Sequence, residues 1–281
     1  MAYTFCQPIR CISLPSRSHP TTLKIQETIN KLKSRVSCCS SRVEKIQLNL
    51  LNLVELYAHL QELILSFSTQ QGNIVEEALE SSVLLLDSCS QARDLILVFK
   101  NQVCDLQSAL RRKGYSNIDN EINMYMRMRK RVAKDVAKSL KVLKQEEGKF
   151  GLNATLLEIN DQLLMNMVMI FREVYSVTIV VYKSIFMLLS TKTKTNGWSL
   201  IARLVTKTSG DGSNNKKVKG ILDEVSRLDL ALNDHTKIDV MLVRDNIEAL
   251  NASLQVLEGE LGILFRCLVQ NRASLLNILT H

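Results

Sequence analysis

From Val43 to Phe67 the apolar residues recur at alternating spacings of three and four: Val43, Ile46, Leu50, Leu53, Tyr57, Leu60, Ile64 and Phe67. This is an a/d heptad stripe, and it predicts a helix with one face against a neighbour. Gly72 is expected to stop that helix. Asn73 then caps the next one, with Glu76 three residues on as its capping-box partner. A second stripe follows: Val75, Leu79, Val83, Leu86, Cys89, Ala92, Ile96, Phe99, Val103, Leu106 and Leu110. It closes on Arg111, Arg112 and Lys113 before Gly114, where positive charge complements the helix dipole.

A third helix is expected from a cap at Ser116 or Asn117 to about Glu147. Its apolar stripe is thin: Val132, Val136, Leu140 and Leu143. Gly148 and Gly151 bracket a predicted turn. The fourth helix, Leu152 to about Leu189, is apolar around most of its circumference, as a central helix with several neighbours would be. Regularity fails over 190–217, where Trp198 and a short apolar piece suggest a small docked helix and 206–217 reads as a flexible loop. The last helix carries the longest heptad run: Val240, Val243, Ile247, Leu250, Leu254, Leu257, Leu261, Leu264 and Leu268. Such a run can close inside the chain or form the seam of a homodimer. The ending RASLLNILTH stays apolar and predicts a docked C-terminus.

Composition supports the same picture. Among 281 residues there are 10 Gly and 3 Pro, and 5% are aromatic. Helix breakers are scarce, and the turn and aromatic content of a sheet sandwich is missing. The expected class is all-α: an elongated antiparallel bundle of about five long helices with coiled-coil-like packing. All three prolines (Pro8, Pro15, Pro20) fall in the first twenty residues. They keep Leu14 and His19 out of the helical region. Residues 1–20 therefore read as an extended basic arm, and 21–281 as one helical domain.

Charge adds a candidate surface. The net charge is +8, distributed as +6 over 1–50, −6 over 51–110, +7 over 111–149, −1 over 150–190, +6 over 191–219 and −4 over 220–281. Alternating signs suit neighbouring helices that attract, or an anionic partner outside the chain. The third helix concentrates Arg127, Arg129, Lys130, Arg131, Lys134, Lys138, Lys141 and Lys144. They read as a solvated outer face or as a basic amphipathic surface for anionic lipid or a partner. This stretch lacks aromatics to stack on bases, so nucleic acid is not an expected partner.

The sequence announces no catalytic chemistry. It has no Gly-rich phosphate loop, no H-E-x-x-H and no G-x-S-x-G, and its four histidines are scattered. No nucleophile with a base and no metal set emerges, so the chain reads as a non-enzyme without cofactors. The seven cysteines lack zinc spacing and read as reduced thiols, Cys89 as a buried one on its stripe. The arm holds one motif with a mechanism: Arg10, three residues before Ser13, with Pro15 two after it. Phosphorylated at Ser13, it would match the pattern that Arg clusters in 14-3-3 proteins hold. The N-terminus lacks an apolar signal core, and its first acidic residue is Glu27. A cytoplasmic protein is expected, with a chloroplast transit sequence as the alternative. No transmembrane span is expected, because Arg172, Glu173 and Lys183 interrupt the most apolar helix.

Three segments together resemble a known family: the arm SLPSRSHP, the LQSALRR that closes the second long helix, and the terminal RASLLNILTH. In this order they are similar to the plant-specific family called domain of unknown function 241, or BYPASS-related, over nearly the whole chain. The resemblance implies a helical, non-enzymatic plant protein linked to root and shoot development, with no catalytic residues to carry over. The combined expectation is a protein-interaction or regulatory scaffold. The alternative is a peripheral membrane adaptor working through residues 127–144.

Overall fold

Pro20 occupies the first position of a helix, where its missing N–H removes no intrahelical bond and its fixed φ suits the first turn. A computed structural model of the protein describes residues 20–34, 42–66, 72–113, 118–150, 162–190, 224–233 and 240–280. Among these the elements are α1 (Pro20–Ser34), α2 (Arg42–Ile64), α3 (Gly72–Lys113), α4 (Asp119–Phe150), α5 (Gln162–Ser190), α6 (Glu224–Asn233) and α7 (Val240–Thr280). There is no strand among the described residues. The fold is all-α, as expected. The long helices are α2, α3, α4, α5 and α7, joined by two shorter ones. The proposed phosphorylation motif at Arg10, Ser13 and Pro15, the Trp198 segment and the 206–217 loop lie outside the described residues.

Polar cross-links give the packing register. On α3 and α7, Ser82 meets Arg272, Cys89 meets the Leu261 carbonyl, Lys100 meets Glu258 and Cys104 meets Asn251. Position rises on one helix as it falls on the other, so the two run antiparallel. This is the most extensive helix pair. At 42 and 41 residues, each is roughly 60 Å long at 1.5 Å per residue. On α2 and α7, Tyr57 meets Asn271 and Gln61 meets Ser274, so this pair runs parallel. The α7 stripe from Val243 to Leu268 is buried against these neighbours and continues through Asn271 and Leu275. Only Val240 departs from it, at 44% exposure. The stripe is filled within one copy of the chain, so a homodimer through these heptads would have to pull core side chains outward.

Three local expectations shift. The helix expected to reach Gly72 closes at Ile64, and Gly72 instead begins α3. Ser66 accounts for the early stop: its N–H and its Oγ both donate to the Leu63 carbonyl, at 3.0 and 2.6 Å. A serine hydroxyl competing for a helix carbonyl in this way ends the regular ladder. On α3 the stripe slips by one residue near its start. Val83 is 44% exposed, while Ser82, Leu85 and Ser88 are buried. Ser82 can go inward because its Oγ donates to the Leu79 carbonyl at 2.6 Å and also accepts from Arg272. At the far end of α4, Gly148 lies inside the helix rather than in a turn; a single glycine costs about 1 kcal/mol there without forbidding it.

The centre of the molecule is α5, which packs against α1, α2, α3 and α4. It buries Val174, Val177, Ile179, Tyr182, Ile185 and Phe186 on more than one side. Met165–Ser190 is long and apolar enough by composition to cross a membrane. Its three charges nevertheless all find partners on other helices. Arg172 pairs with Glu77 at 3.3 Å, Glu173 with Lys33 at 3.2 Å, and Lys183 with Glu147. Gln26 adds a hydrogen bond to Glu173 at 3.2 Å.

Candidate functional site

The outer face of α4 presents seven of the eight cations singled out in the sequence: Arg127, Lys130, Arg131, Lys134, Lys138, Lys141 and Lys144 are exposed. At 100° per residue, all but Lys144 fall within an arc of about 100°, and the seven span about 26 Å of helix. Asp135 pairs with Lys138 at 3.1 Å. No other ion pair reaches these seven among the described residues. The positive charge of α4 is therefore not consumed by neighbouring acidic helices. Met124 and Val142 are exposed on the same helix.

The eighth cation corrects the sequence reading. Arg129 is 8% exposed and belongs to the core. It falls on the apolar stripe of α4, seven residues after Ile122, three before Val132 and seven before Val136, all buried. Its partner, Asp229 on α6, is 5% exposed at the side chain. The Arg129 Nε donates to both Asp229 carboxylate oxygens at 3.2 Å, and Nη2 donates to Oδ2 at 3.0 Å. The Tyr125 hydroxyl donates to Oδ1 at 2.7 Å. Nη1 donates to the Leu189 carbonyl at 2.5 Å, satisfying an acceptor that the end of α5 would otherwise leave orphaned. The guanidinium also stacks over Phe99 at 5.1 Å, and Phe99 meets Tyr125 edge-on at 6.1 Å. Buried charge is tolerated when it is paired and hydrogen-bonded on every side. Arg129 thus ties α3, α4, α5 and α6 together and is not available to an outside partner.

A second constellation lies where α2, α3, α5 and α7 come together. A solvent-open cleft there has about 600 Å³ of empty space, counting the open solvent at its mouth. Its walls are mainly apolar, including Leu60, Ala78, Leu85, Phe171 and Leu275. Polar groups enter at a few points. Glu77 and Arg172 form the ion pair already described. Arg272 Nη1 donates to the Leu79 carbonyl at 2.6 Å and to Ser82 Oγ at 2.5 Å. Asn271 Nδ2 donates to the carbonyls of Tyr57 and Cys267 at 3.1 and 2.8 Å. Its Oδ1 has no partner among the described residues, and neither does Arg172 Nε. Deeper in, Tyr57 and Thr178 hydroxyls meet at 3.0 Å. Thr178 spends its own proton on the Val174 carbonyl at 2.7 Å, so Tyr57 is the donor between them. Burial, foremost, raises the Tyr57 phenol well above its ordinary range.

The Ser81 and Ser82 hydroxyls in the cleft donate to the carbonyls of Glu77 and Leu79. Among the described residues no histidine or cysteine lines the walls. His59 lies on the flank of α2, 3.8 Å from Glu55 and 4.0 Å from Glu62. Cys89 is fully buried, as its stripe position predicts. Its thiol approaches the Leu261 carbonyl at 3.6 Å. Burial pushes the Cys89 thiol up to about 11. Among the described residues no group of three or more His, Cys, Asp or Glu is placed to hold a metal ion.

The sequence reading did not assemble these residues into a site, although one signal existed. Asn271 and Leu275 continue the α7 heptad at spacings of three and four beyond Leu268, so a polar residue stands at a core position. The sequence model of the family described as Protein BPS1 matches residues 49–278. No curated protein and no solved structure matches the chain.

Proposed function

The chain belongs to the BPS1 family of BYPASS-related plant proteins, and from that premise we propose that it is a non-enzymatic regulatory scaffold. It acts in plant development, in root and shoot, and docks an acidic protein partner on the outer face of α4. The observation that carries this reading is the row of seven exposed cations from Arg127 to Lys144, which among the described residues meets a single acid, Asp135. A folded protein concentrating uncompensated charge along one straight edge attracts and orients a partner of opposite sign. The contrast with the cleft favours a scaffold over an enzyme, since the cleft's serine hydroxyls, Ser81 and Ser82, are occupied by backbone carbonyls.

Proximity labelling in plant tissue tests it. The wild-type chain is compared with Lys130→Glu/Lys134→Glu/Lys138→Glu, whose substituted side chains are all exposed and should not disturb the fold. Loss of a defined set of labelled proteins is expected; an identical labelled set would remove the α4 reading. A second reading, a peripheral membrane adaptor, draws on Met124 and Val142, apolar side chains exposed beside the cations. Each surface cation near anionic lipid contributes about 1 kcal/mol. Loss of the three cations alone would then weaken vesicle binding by roughly 100-fold, and their reversal to glutamate by more. Failure of the wild-type protein to sediment with phosphatidylserine vesicles at physiological salt removes this second reading. The arm motif is an independent route to a partner. A peptide spanning Arg10 to Pro15 and phosphorylated at Ser13 is expected to bind 14-3-3 more tightly than the unmodified peptide, and equal binding would discard it.

A further inference from the structure

The cleft between α2, α3, α5 and α7 has a charge arrangement that its structural role does not require. Two guanidinium groups and one carboxylate stand among its lining residues. Glu77 neutralises Arg172 at 3.3 Å. Arg272 has no carboxylate among the described residues; only its Nη1 is engaged, and by two neutral oxygens. One uncompensated positive charge therefore sits, half-buried, at the edge of an apolar hollow. Reducing the hydration of a cation without pairing it is unfavourable, and an anion that enters offsets that cost. The Arg272 Nη2 and Nε donors remain for such a group, and the planar fork of arginine matches a carboxylate.

One further polar feature suits a ligand of this kind. Arg172, on the α5 wall, has an Nε donor without a partner among the described residues, and a carboxylate supplies the acceptor that such a donor lacks. The remaining walls are hydrocarbon and ring, the lining typical of sites that hold apolar small molecules with a few polar anchors.

We propose that this cleft binds a monoanionic amphiphile, a medium-chain carboxylate in chemical class. Its carboxylate lies on Arg272, and its chain packs against Leu60, Ala78, Leu85 and Phe171. One uncompensated cation selects a single negative charge, and the Glu77 carboxylate disfavours a second. The proposal is independent of the α4 surface, which lies on a different helix.

Calorimetric titration of the full chain with decanoate below its micellar concentration, and with decanol below its solubility limit, tests it. Decanoate is expected to bind with one-to-one stoichiometry and at least 10-fold more tightly than decanol. Arg272→Met should bring decanoate down to the decanol level while leaving decanol unchanged. Because that substitution also removes the bonds to Leu79 and Ser82, Arg272→Lys serves as a second variant and should retain a preference for decanoate. Ala78→Phe, which fills the hollow, should abolish binding of both. Absence of saturable decanoate binding, equal affinity for the two probes, or unchanged binding by Ala78→Phe would each overturn the proposal.

Discussion

Removing the guanidinium of Arg129 would take its cationic partner away from the Asp229 carboxylate, which stays in the core with the Tyr125 hydroxyl still donating to it. Breaking one side of a buried pair costs about 3–5 kcal/mol, far more than the pair's net contribution, because the survivor is an uncompensated charge. Arg129→Met is therefore expected to lower the urea unfolding free energy by about that amount, while Arg129→Met/Asp229→Leu recovers most of the loss. A double variant no more stable than the single one would show that the Leu189 and Phe99 contacts carry the stability instead. The buried acids make a second residue-scale prediction. Burial raises the Cys89 thiol from 9.0 to about 11 and pushes the Tyr57, Tyr175 and Tyr182 phenols above their usual range. The folded chain keeps these protons where the unfolded chain has begun to release them. Stability is thus fully present below about pH 9 and falls as pH rises toward 11 and beyond. Cys89 alone accounts for about 2–3 kcal/mol across that window. Urea midpoints at pH 8 and pH 10.5 should converge partly in Cys89→Ala. Cys89 was legible in the sequence because it stood on an apolar stripe. Arg129 was not, because its charge resembled that of its neighbours and its partner lies 100 residues away.

Helix α7 carries two glycines, Gly259 and Gly262, midway along its length, and a Cβ built at either meets nothing within 4 Å. Glycine in a helix interior is about 0.5–1 kcal/mol less favourable than alanine. Gly259→Ala and Gly262→Ala are each expected to stabilise the protein by about that amount, read as a rise in Tm. A fall instead would mean that the helix needs local freedom there. The α7 heptads were readable because nine apolar positions in strict alternation leave one helical phase. On α3 the phase was misread at Val83, since both Val83 and Ser82 fit a three-or-four spacing and apolarity favoured the valine. What turned Ser82 inward was Arg272, 190 residues along the chain, a partner that no local window contains. The cleft was hidden for the same reason, since it exists only where four helices meet.

At the scale of the whole molecule, the seven described helices feed one apolar core, and among them α5 touches the most others. The helical class, the number of long helices and the central place of α5 followed from periodicity. The ends of elements and the pairing of charges depended on contacts between distant segments. The three ion pairs of α5 can be tested together. Arg, Lys or Asp at the middle of a membrane helix costs about 2.5–3.5 kcal/mol on insertion. Arg172→Leu/Glu173→Leu/Lys183→Leu should therefore move the chain into the carbonate-resistant pellet when it is translated beside microsomes, while the wild-type chain stays in the supernatant. Equal partitioning would mean that the charges do not govern the choice. The partners of those charges, Lys33, Glu77 and Glu147, all precede α5 in the chain. When the ribosome releases this greasy segment, every counter-charge it requires has already been made, so the order of synthesis itself leads α5 toward its own protein before lipid can compete.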